Sequence, residues 1–264
     1  MARANSVVMV LSVAALGALF GLDLASIQPN RIVAGTGHDL VDAVGVGGAI
    51  VASLPFWLNL GLAWRPTPAR ERVMLVVSLL LLAGLPWALA GMGARFIEPG
   101  DSSATRIAVA AGTWLLAFTL LLALIELRGR TAVNRGVVLL LWAVPLGSLA
   151  AALASGALER LALVREYAVR SESFLEAIAG HGILVGGAVG FSLVLGFALA
   201  LLMRRFRRAQ KGLFGVLSFI QTIPSLALFG LLLAPLAWLA ANVPALAEAG
   251  ISGIGRAPAL IALV

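Results

Sequence analysis

Residues 219–237 read FIQTIPSLALFGLLLAPLA, and this stretch is apolar enough to lie in a bilayer. Near its start it carries three uncharged hydrogen-bonding side chains, Gln221, Thr222 and Ser225, together with Pro224. A proline lacks a backbone N–H donor and its ring clashes with the carbonyl group four residues earlier, so the helix is predicted to bend or break near Ile220 to Gln221. Broken backbone at membrane depth is tolerated only where protein covers it or where it lines a wet cavity.

These polar side chains are the candidate functional residues. Gln221, Thr222 and Ser225 either hydrogen-bond to a neighbouring helix or line a pathway through the membrane, and the residues alone favour neither role. Pro224 is the candidate for the helix break.

The composition determines the class of protein. Hydrophobic residues make up 61% and charged residues 12% of the 264-residue chain, and the mean hydropathy is +1.04. A soluble domain has about a quarter charged residues and cannot bury this much apolar surface. Since apolar runs able to cross about 30 Å of hydrocarbon recur, the sequence predicts an all-α, polytopic transmembrane protein. We expect about seven spans and the start of an eighth, at residues 5–22, 41–62, 73–92, 107–125, 136–157, 182–203 and 213–240, then 257 onward.

The basic residues predict the orientation. With a cytoplasmic amino terminus, twelve of the nineteen Lys and Arg residues fall in cytoplasmic segments, and five of these lie in the run RRFRRAQKG at 204–212. Because basic loops remain in the cytoplasm, we expect the amino terminus there. The run is also typical of contact with anionic membrane lipid. The excess of Lys and Arg residues is thereby explained without binding of nucleic acid.

The residue types present exclude most kinds of catalytic, metal-binding and nucleotide-binding site. The chain has no cysteine, and its two histidines, His38 and His181, lie far apart in sequence, so no catalytic residue, metal site or cofactor is predicted. Lys211 is the only lysine and no G-x-x-x-x-G-K-[ST] motif occurs, which excludes ATP binding through a P-loop. The spans carry no ionisable residue near their centres, which argues against an ion-coupled carrier.

Two further patterns concern packing and domain organisation. Gly182, Gly186 and Gly190 recur every fourth residue, which predicts a helix stripe for close helix packing. Residues 158–181, LERLALVREYAVRSESFLEAIAGH, are charged and amphipathic and long enough for two short helices. Within them Ser173 is followed three residues later by a glutamate, as in a capping box that opens the second helix.

We therefore expect three parts in the chain. Residues 1–157 would form an accessory amino-terminal membrane domain of five spans, residues 158–181 an amphipathic connector on the outer face, and residues 182–264 a separate core. For the connector, a simple surface loop is the alternative.

The stretch at 219–237, followed by GISGIGRAPALIALV, resembles the permease subunit of bacterial ABC importers for osmoprotectants such as glycine betaine and choline. In that family an I-Q-T-I-P-S-x-A-L helix and a G-I-G-x-x-P-A-x-I-A-L helix start follow a short basic loop, and residues 220–228 and 253–263 match them. The resemblance covers about residues 164–264. The preceding part, which includes NRIVAGTGHDL, resembles the extra amino-terminal spans of a subgroup of these permeases.

The resemblance implies a multi-pass permease in the bacterial inner membrane, part of the translocation pathway of an ATP-driven importer and not itself an enzyme. Its partners would be a cytoplasmic ATP-binding subunit, a periplasmic or lipid-anchored solute-binding protein and a second permease copy. Residues 182–264 would then be the amino-terminal part of an ABC type-1 permease core. Gln221, Thr222 and Ser225 would line the pathway, with Pro224 as the helix break.

The chain departs from the family at its end. It stops at Val264, eight residues into the last expected span, before the family's coupling segment, so we expect a truncated core that does not couple to an ATPase alone. Two alternatives to the importer remain open at this stage. One is a non-transporting membrane scaffold or sensor, and the other is an ion-coupled secondary carrier.

Overall fold

The computed structural model describes residues 4–206, 210–248 and 250–263. Contacts divide the chain into two compact units, Met1–Val169 and Arg170–Val264. The expected division into accessory domain, connector and core stays a prediction.

The first unit consists of apolar helices and a small sheet. Its helices are α1 (Ser6–Gly21), α2 (Leu40–Trp64), α3 (Pro68–Phe96), α4 (Ala111–Arg130) and α5 (Arg135–Ala154). Its strands are β1 (Ala25–Gln28), β2 (Thr36–His38) and β3 (Arg106–Val109).

The second unit is helical over its described residues. Helix α6 (Ala162–Arg205) begins in the first unit and continues into the second, and Arg170 at the border has non-helical angles, φ −128° and ψ 24°. The helices that follow are α7 (Gln210–Thr222), α8 (Ser225–Asn242), α9 (Pro244–Glu248) and α10 (Arg256–Leu263).

Six described helices are long and apolar enough to cross a membrane, namely α2, α3, α4, α5, α6 and α8. The predicted all-α polytopic architecture is thereby confirmed at the level of fold class, whereas the number of spans and the orientation stay predictions. The expected span at 213–240 is divided between α7 and α8, because Pro224 separates them. Helix α1 is apolar but shorter, about 24 Å at 1.5 Å per residue.

The sheet lies at the end of the first unit where α1 and α3 end and α2 and α4 begin. Its order is β2-β1-β3 and both pairings are antiparallel, with Ala25 opposite His38 on one side and Val109 on the other. The sequence predicted no sheet and a fourth span that begins at residue 107. The structure instead places 106–109 in β3, so the spanning helix starts only at Ala111.

Helix α1 is held by close packing against α2 and α4. The residues that permit this approach are small, since Ala15 is 2% and Ala18 0% exposed. Small residues bring helix backbones near each other, which is how membrane helices gain packing energy without a hydrophobic driving force.

The buried side chains of the first unit form two clusters. The cluster next to the sheet contains Leu19, Ile107 and Leu116, and the cluster toward the opposite end contains Met74 and Leu127. The first cluster joins the helices to the sheet, so the sheet is part of the packed core.

Hydrogen bonds between side chains also join the helices. Asn59 of α2 donates from Nδ2 to Ser78 Oγ of α3 at 3.1 Å, and both residues are buried. Trp87 of α3 donates to Ser148 Oγ of α5 at 3.0 Å, and that hydroxyl donates to the carbonyl of Ala83 at 2.6 Å. Such bonds contribute on average about 0.6 kcal/mol in a membrane protein.

The residues expected to form the connector are mostly helical. Residues 162–181 lie in α6, where the non-helical backbone at Arg170 separates a short first stretch from the rest of the helix. Ser173 is inside this helix and does not open a second one, since the irregular backbone precedes it by three residues.

Gly112, in the first turn of α4, provides a stability test. Its N–H donates to the carbonyl of Asp23 at 2.9 Å, and a Cβ at Gly112 would lie 2.7 Å from that oxygen. Because backbone would have to move, we expect Gly112→Ala to lower the free energy of unfolding by about 1–3 kcal/mol. Thermal unfolding in detergent measures the change. Gly147→Ala in α5 is the control, since a Cβ there meets no described atom within 4 Å. Equal midpoints for the two variants would contradict the packing argument.

Candidate functional site

The helix break near Pro224 lies about three residues later than predicted. Helix α7 continues to Thr222, because the N–H of Ile223 bonds to the carbonyl of Ile220 at 3.0 Å and closes a tighter last turn. Pro224 then takes the N-cap position of α8, with φ −55° and ψ 133°, and its carbonyl accepts from Leu228 N at 3.0 Å. The chain therefore leaves the helix at residues 223–224 and starts a new helix at Ser225.

The structure places the three candidate polar side chains on either side of this break. The Thr222 hydroxyl donates to the carbonyl of Phe219 at 2.6 Å, so it is engaged within its own helix. Gln221 and Ser225 are exposed, and their side chains have no hydrogen bond to any described residue. Their role in lining a pathway stays a prediction.

The lengths of α7 and α8 indicate where the site lies relative to the spanning helices. Helix α8 has 18 residues and belongs to the candidate spans, whereas α7 is an amphipathic helix of 13 residues and is not among them. Gln221 and Thr222 thus lie at the junction between an amphipathic helix and the start of a spanning helix. The sequence predicted one span over 213–240, with Gln221 and Thr222 inside it.

The helices of the second unit are poorly covered by the rest of the chain. In the most apolar 18-residue window, 44% of α4 is buried but only 6% of α6 and 6% of α8. Helix α7 has no buried residue along its described length, and α8 buries Leu236. These helices therefore offer most of their surface to lipid or to another protein chain.

The glycine stripe does not face a described neighbour. A Cβ added at Gly182, Gly186 or Gly190 would meet no described atom within 4 Å, whereas one at Gly187 would lie 3.1 Å from Leu260 Cδ2 of α10. The close contact of α6 within its unit thus uses a glycine next to the predicted stripe. The stripe's role in helix packing stays a prediction.

The glycine-rich turn before α10 fits tightly against α8. A Cβ at Gly253 would lie 2.4 Å from the carbonyl oxygen of Leu233 and 2.7 Å from Ala237 Cβ. In the same region Pro258 is buried. The segment that resembles the permease motif is therefore packed on the helix that Pro224 begins.

A group of charges that the sequence analysis did not single out lies beside the sheet. Glu166 Oε1, in the first turns of α6, is 2.8 Å from Arg106 Nη1 and 3.5 Å from Arg31 Nε. Arg165 donates to the carbonyl of Thr105 at 2.8 Å. These bonds attach the start of α6 to the sheet. The paired residues are 60 apart in sequence in two of these contacts and 135 apart in the contact with Arg31, so no local pattern indicated them.

Comparison with known proteins gives one family. Residues 3–164 match the protein family described as ABC transporter permease YehY, N-terminal domain. No curated protein and no solved structure gives a significant match. The matched residues cover more than half of the chain and lie in the first unit, whereas the candidate site lies in the second.

The break can be tested by spin labelling, since the chain contains no cysteine. Gly215 and Gly230 flank the break, and added side chains there meet no described atom within 4 Å. With cysteine labels at both positions, we expect Pro224→Ala to move the label distance toward about 22 Å, the value for a continuous helix at 1.5 Å per residue. Pulsed electron paramagnetic resonance gives the distance.

The matched control is Pro235→Ala, which alters α8 beyond both labels. We expect it to leave the distance distribution unchanged. An unchanged distribution in Pro224→Ala would show that the proline does not cause the break.

Proposed function

The chain belongs to the family of the ABC transporter permease YehY N-terminal domain, and we propose that it is the permease of an importer for osmoprotectants such as glycine betaine or choline. The family match over residues 3–164 carries the assignment to ABC permeases. The solute class is inferred from the resemblance of residues 220–228 and 253–263 to osmoprotectant permeases.

The chain is a multi-pass membrane protein, as its six long apolar helices require. We place it in the bacterial inner membrane with a cytoplasmic amino terminus. The distribution of Lys and Arg supports this orientation. In this arrangement the sheet of the first unit faces outward, where a soluble protein could reach it.

We assign the pathway lining to the residues around the break. Gln221 and Ser225 are exposed without a described hydrogen-bond partner, next to backbone that Pro224 takes out of the helix. An amide facing hydrocarbon without a partner is unfavourable by several kcal/mol. A wet pathway or a second protein surface removes this penalty, and a permease has both.

The same reasoning supports the proposed partners. A second permease copy would cover helices of which 6% is buried within the chain. A cytoplasmic ATP-binding subunit would supply the energy, since no P-loop is present in the sequence. A periplasmic or lipid-anchored binding protein would deliver the solute and select it, for example through aromatic side chains around a quaternary ammonium group.

The solute class is tested by uptake in the natural host. In a strain without its other osmoprotectant carriers, we expect deletion of the gene to abolish uptake of labelled glycine betaine or choline at high osmolarity, because no other route remains. Re-expression of the complete natural protein should restore it. Uptake that persists after deletion, or that survives ATP depletion and stops with the proton gradient, would contradict an ATP-driven importer for these solutes.

The pathway assignment is tested by Gln221→Leu in the complete transporter. The variant removes the amide but keeps a side chain of similar length, so we expect uptake to fall at least about tenfold, the change that corresponds to 1.4 kcal/mol, at equal membrane abundance. The matched control is Gln210→Leu, which removes the same group at the other end of α7. Wild-type uptake in the Gln221→Leu variant would remove this residue from the pathway.

A further inference from the structure

The first unit contains a large apolar cleft next to α2 and α3. Its volume is about 900 Å³, which lies within the range of small-molecule sites, about 300–1,000 Å³. Helices α1 and α4 form part of its wall. The residues that line it are Leu19, Leu24, Leu40, Val51, Ala52, Leu54, Pro55, Phe56, Leu58, Val77, Leu80, Leu81, Gly84, Leu85, Ala88, Leu89, Met92, Thr113, Leu116 and Leu120.

The cleft has a closed back and open edges. Phe56, Leu89 and Leu116 at the back are 3–8% exposed, whereas Val51 and Leu80 at the edges are 65% and 63% exposed. The exposed edges belong to spanning helices, so the cleft opens toward surrounding lipid in the membrane. Apolar atoms that fill the cleft would gain dispersion contacts with its walls.

The wall of the cleft can pack against hydrocarbon but has no free hydrogen-bonding side chain for a polar solute. Thr113 is its one polar residue, and the Thr113 hydroxyl already donates to the carbonyl of Leu24 at 2.7 Å. A solute with a carboxylate or an ammonium group would lose its hydration here without any replacement. The cleft is therefore separate in chemistry from the proposed solute pathway.

The length of the cleft suits one acyl chain. The lining residues on α3 run from Val77 to Met92, a rise of about 22 Å at 1.5 Å per residue. One leaflet of the hydrocarbon core is about 15 Å thick, half of about 30 Å. The cleft is thus longer than one leaflet is thick, so a fatty-acyl chain that enters from the leaflet on the side of the sheet has room to lie within it.

The positively charged side chain of Arg95 follows the α3 residues of this lining at the end nearest the sheet. The α3 residues that line the cleft recur at intervals of three and four, and Arg95 follows Met92 at the next such interval, about 4.5 Å further along the axis. Arg95 is exposed and has no hydrogen bond or ion pair to a described residue. A guanidinium binds a phosphate group through paired, charge-assisted hydrogen bonds.

Two carboxylates lie near this end of the cleft, at the start of α2. The Asp39 carboxylate accepts from Asp42 N at 2.8 Å, and Asp42 Oδ2 accepts from Asp39 N at 3.4 Å and lies 3.6 Å from His38 Nδ1. These carboxylates suit the ammonium end of a zwitterionic headgroup better than a second anion. The charge pattern thus fits a headgroup that contains both a phosphate and an amine.

We propose that the cleft binds a single phospholipid from the leaflet on the side of the sheet, with one acyl chain along α3 and its phosphate on Arg95. The lipid completes the packing of α2 against α3 and is a structural ligand of the first unit. This site is distinct from the residues around Pro224.

Gly84→Leu tests the site directly. Gly84 lines the cleft and a Cβ there meets no described atom within 4 Å, so a side chain can start at this position and a leucine would occupy part of the cleft. We expect the purified wild-type protein to retain one phospholipid per chain by native mass spectrometry, and Gly84→Leu to reduce retention at least tenfold. Gly147→Leu in α5, which also meets no described atom and does not line the cleft, is the matched control and should retain the lipid.

Arg95 supplies the second test, which holds even if Gly84→Leu does not fold. Arg95→Gln should weaken binding of an added zwitterionic phospholipid about tenfold, and Arg95→Lys should restore only part of it, because the positive charge is kept but the paired hydrogen bonds are lost. Lipid bound equally well by Gly84→Leu and the wild type would overturn the proposal. So would a wild-type protein that retains only detergent, or one in which a second copy of the chain covers the cleft without phospholipid.

Discussion

Satisfying backbone hydrogen bonds within hydrocarbon is the constraint on which the rest of this structure depends. Helices do so internally over each long apolar segment, and strands can do so only by pairing. The strands accordingly occur at one end of the first unit, between the ends of the helices, where Ala25 of β1 has a neighbour on both sides. Pro224 is the exception, since it withholds a donor. Its helix ends with a tighter bond from Ile223 to Ile220 and restarts one residue after the proline.

The spanning helices of the two units are buried within the chain to different extents. In the first, small residues on α1 allow close packing against α4, of which 44% of the apolar window is buried, and the pair Asn59 and Ser78 joins α2 to α3. In the second, α6 and α8 reach only 6%, and the close contacts come from glycines, namely Gly187 against Leu260 and Gly253 against Leu233. A membrane helix gains no hydrophobic energy by leaving lipid for protein, so such contacts must come from shape and hydrogen bonding. The second unit therefore has more of its surface available for other chains.

Hydropathy predicted the long helices because an apolar run of about twenty residues has few other structures open to it in a membrane. It could not predict β1 and β3, which have four residues each and depend on partners about eighty residues apart. Proline chemistry placed the break within about one turn, and the error arose because the last turn can tighten. Glycine spacing indicated a packing stripe on α6, yet the neighbour in the structure lies beside Gly187. No sequence pattern indicated the cleft, since its shape depends on how four helices pack.

The chemistry of the two open regions suggests a division of labour. The cleft in the first unit has one hydroxyl, already bonded, and a wall of aliphatic side chains, so transferring a zwitterionic solute into it would sacrifice hydration without compensation. The region around Pro224 presents an amide and a hydroxyl without described partners, uncharged groups that can exchange hydrogen bonds with a hydrated solute and release it again. A permanently charged group at this place would bind an oppositely charged solute too firmly for rapid passage. Neutral polarity at a helix break and a hydrocarbon-lined cleft are thus suited to different molecules, namely the proposed solute and the proposed lipid.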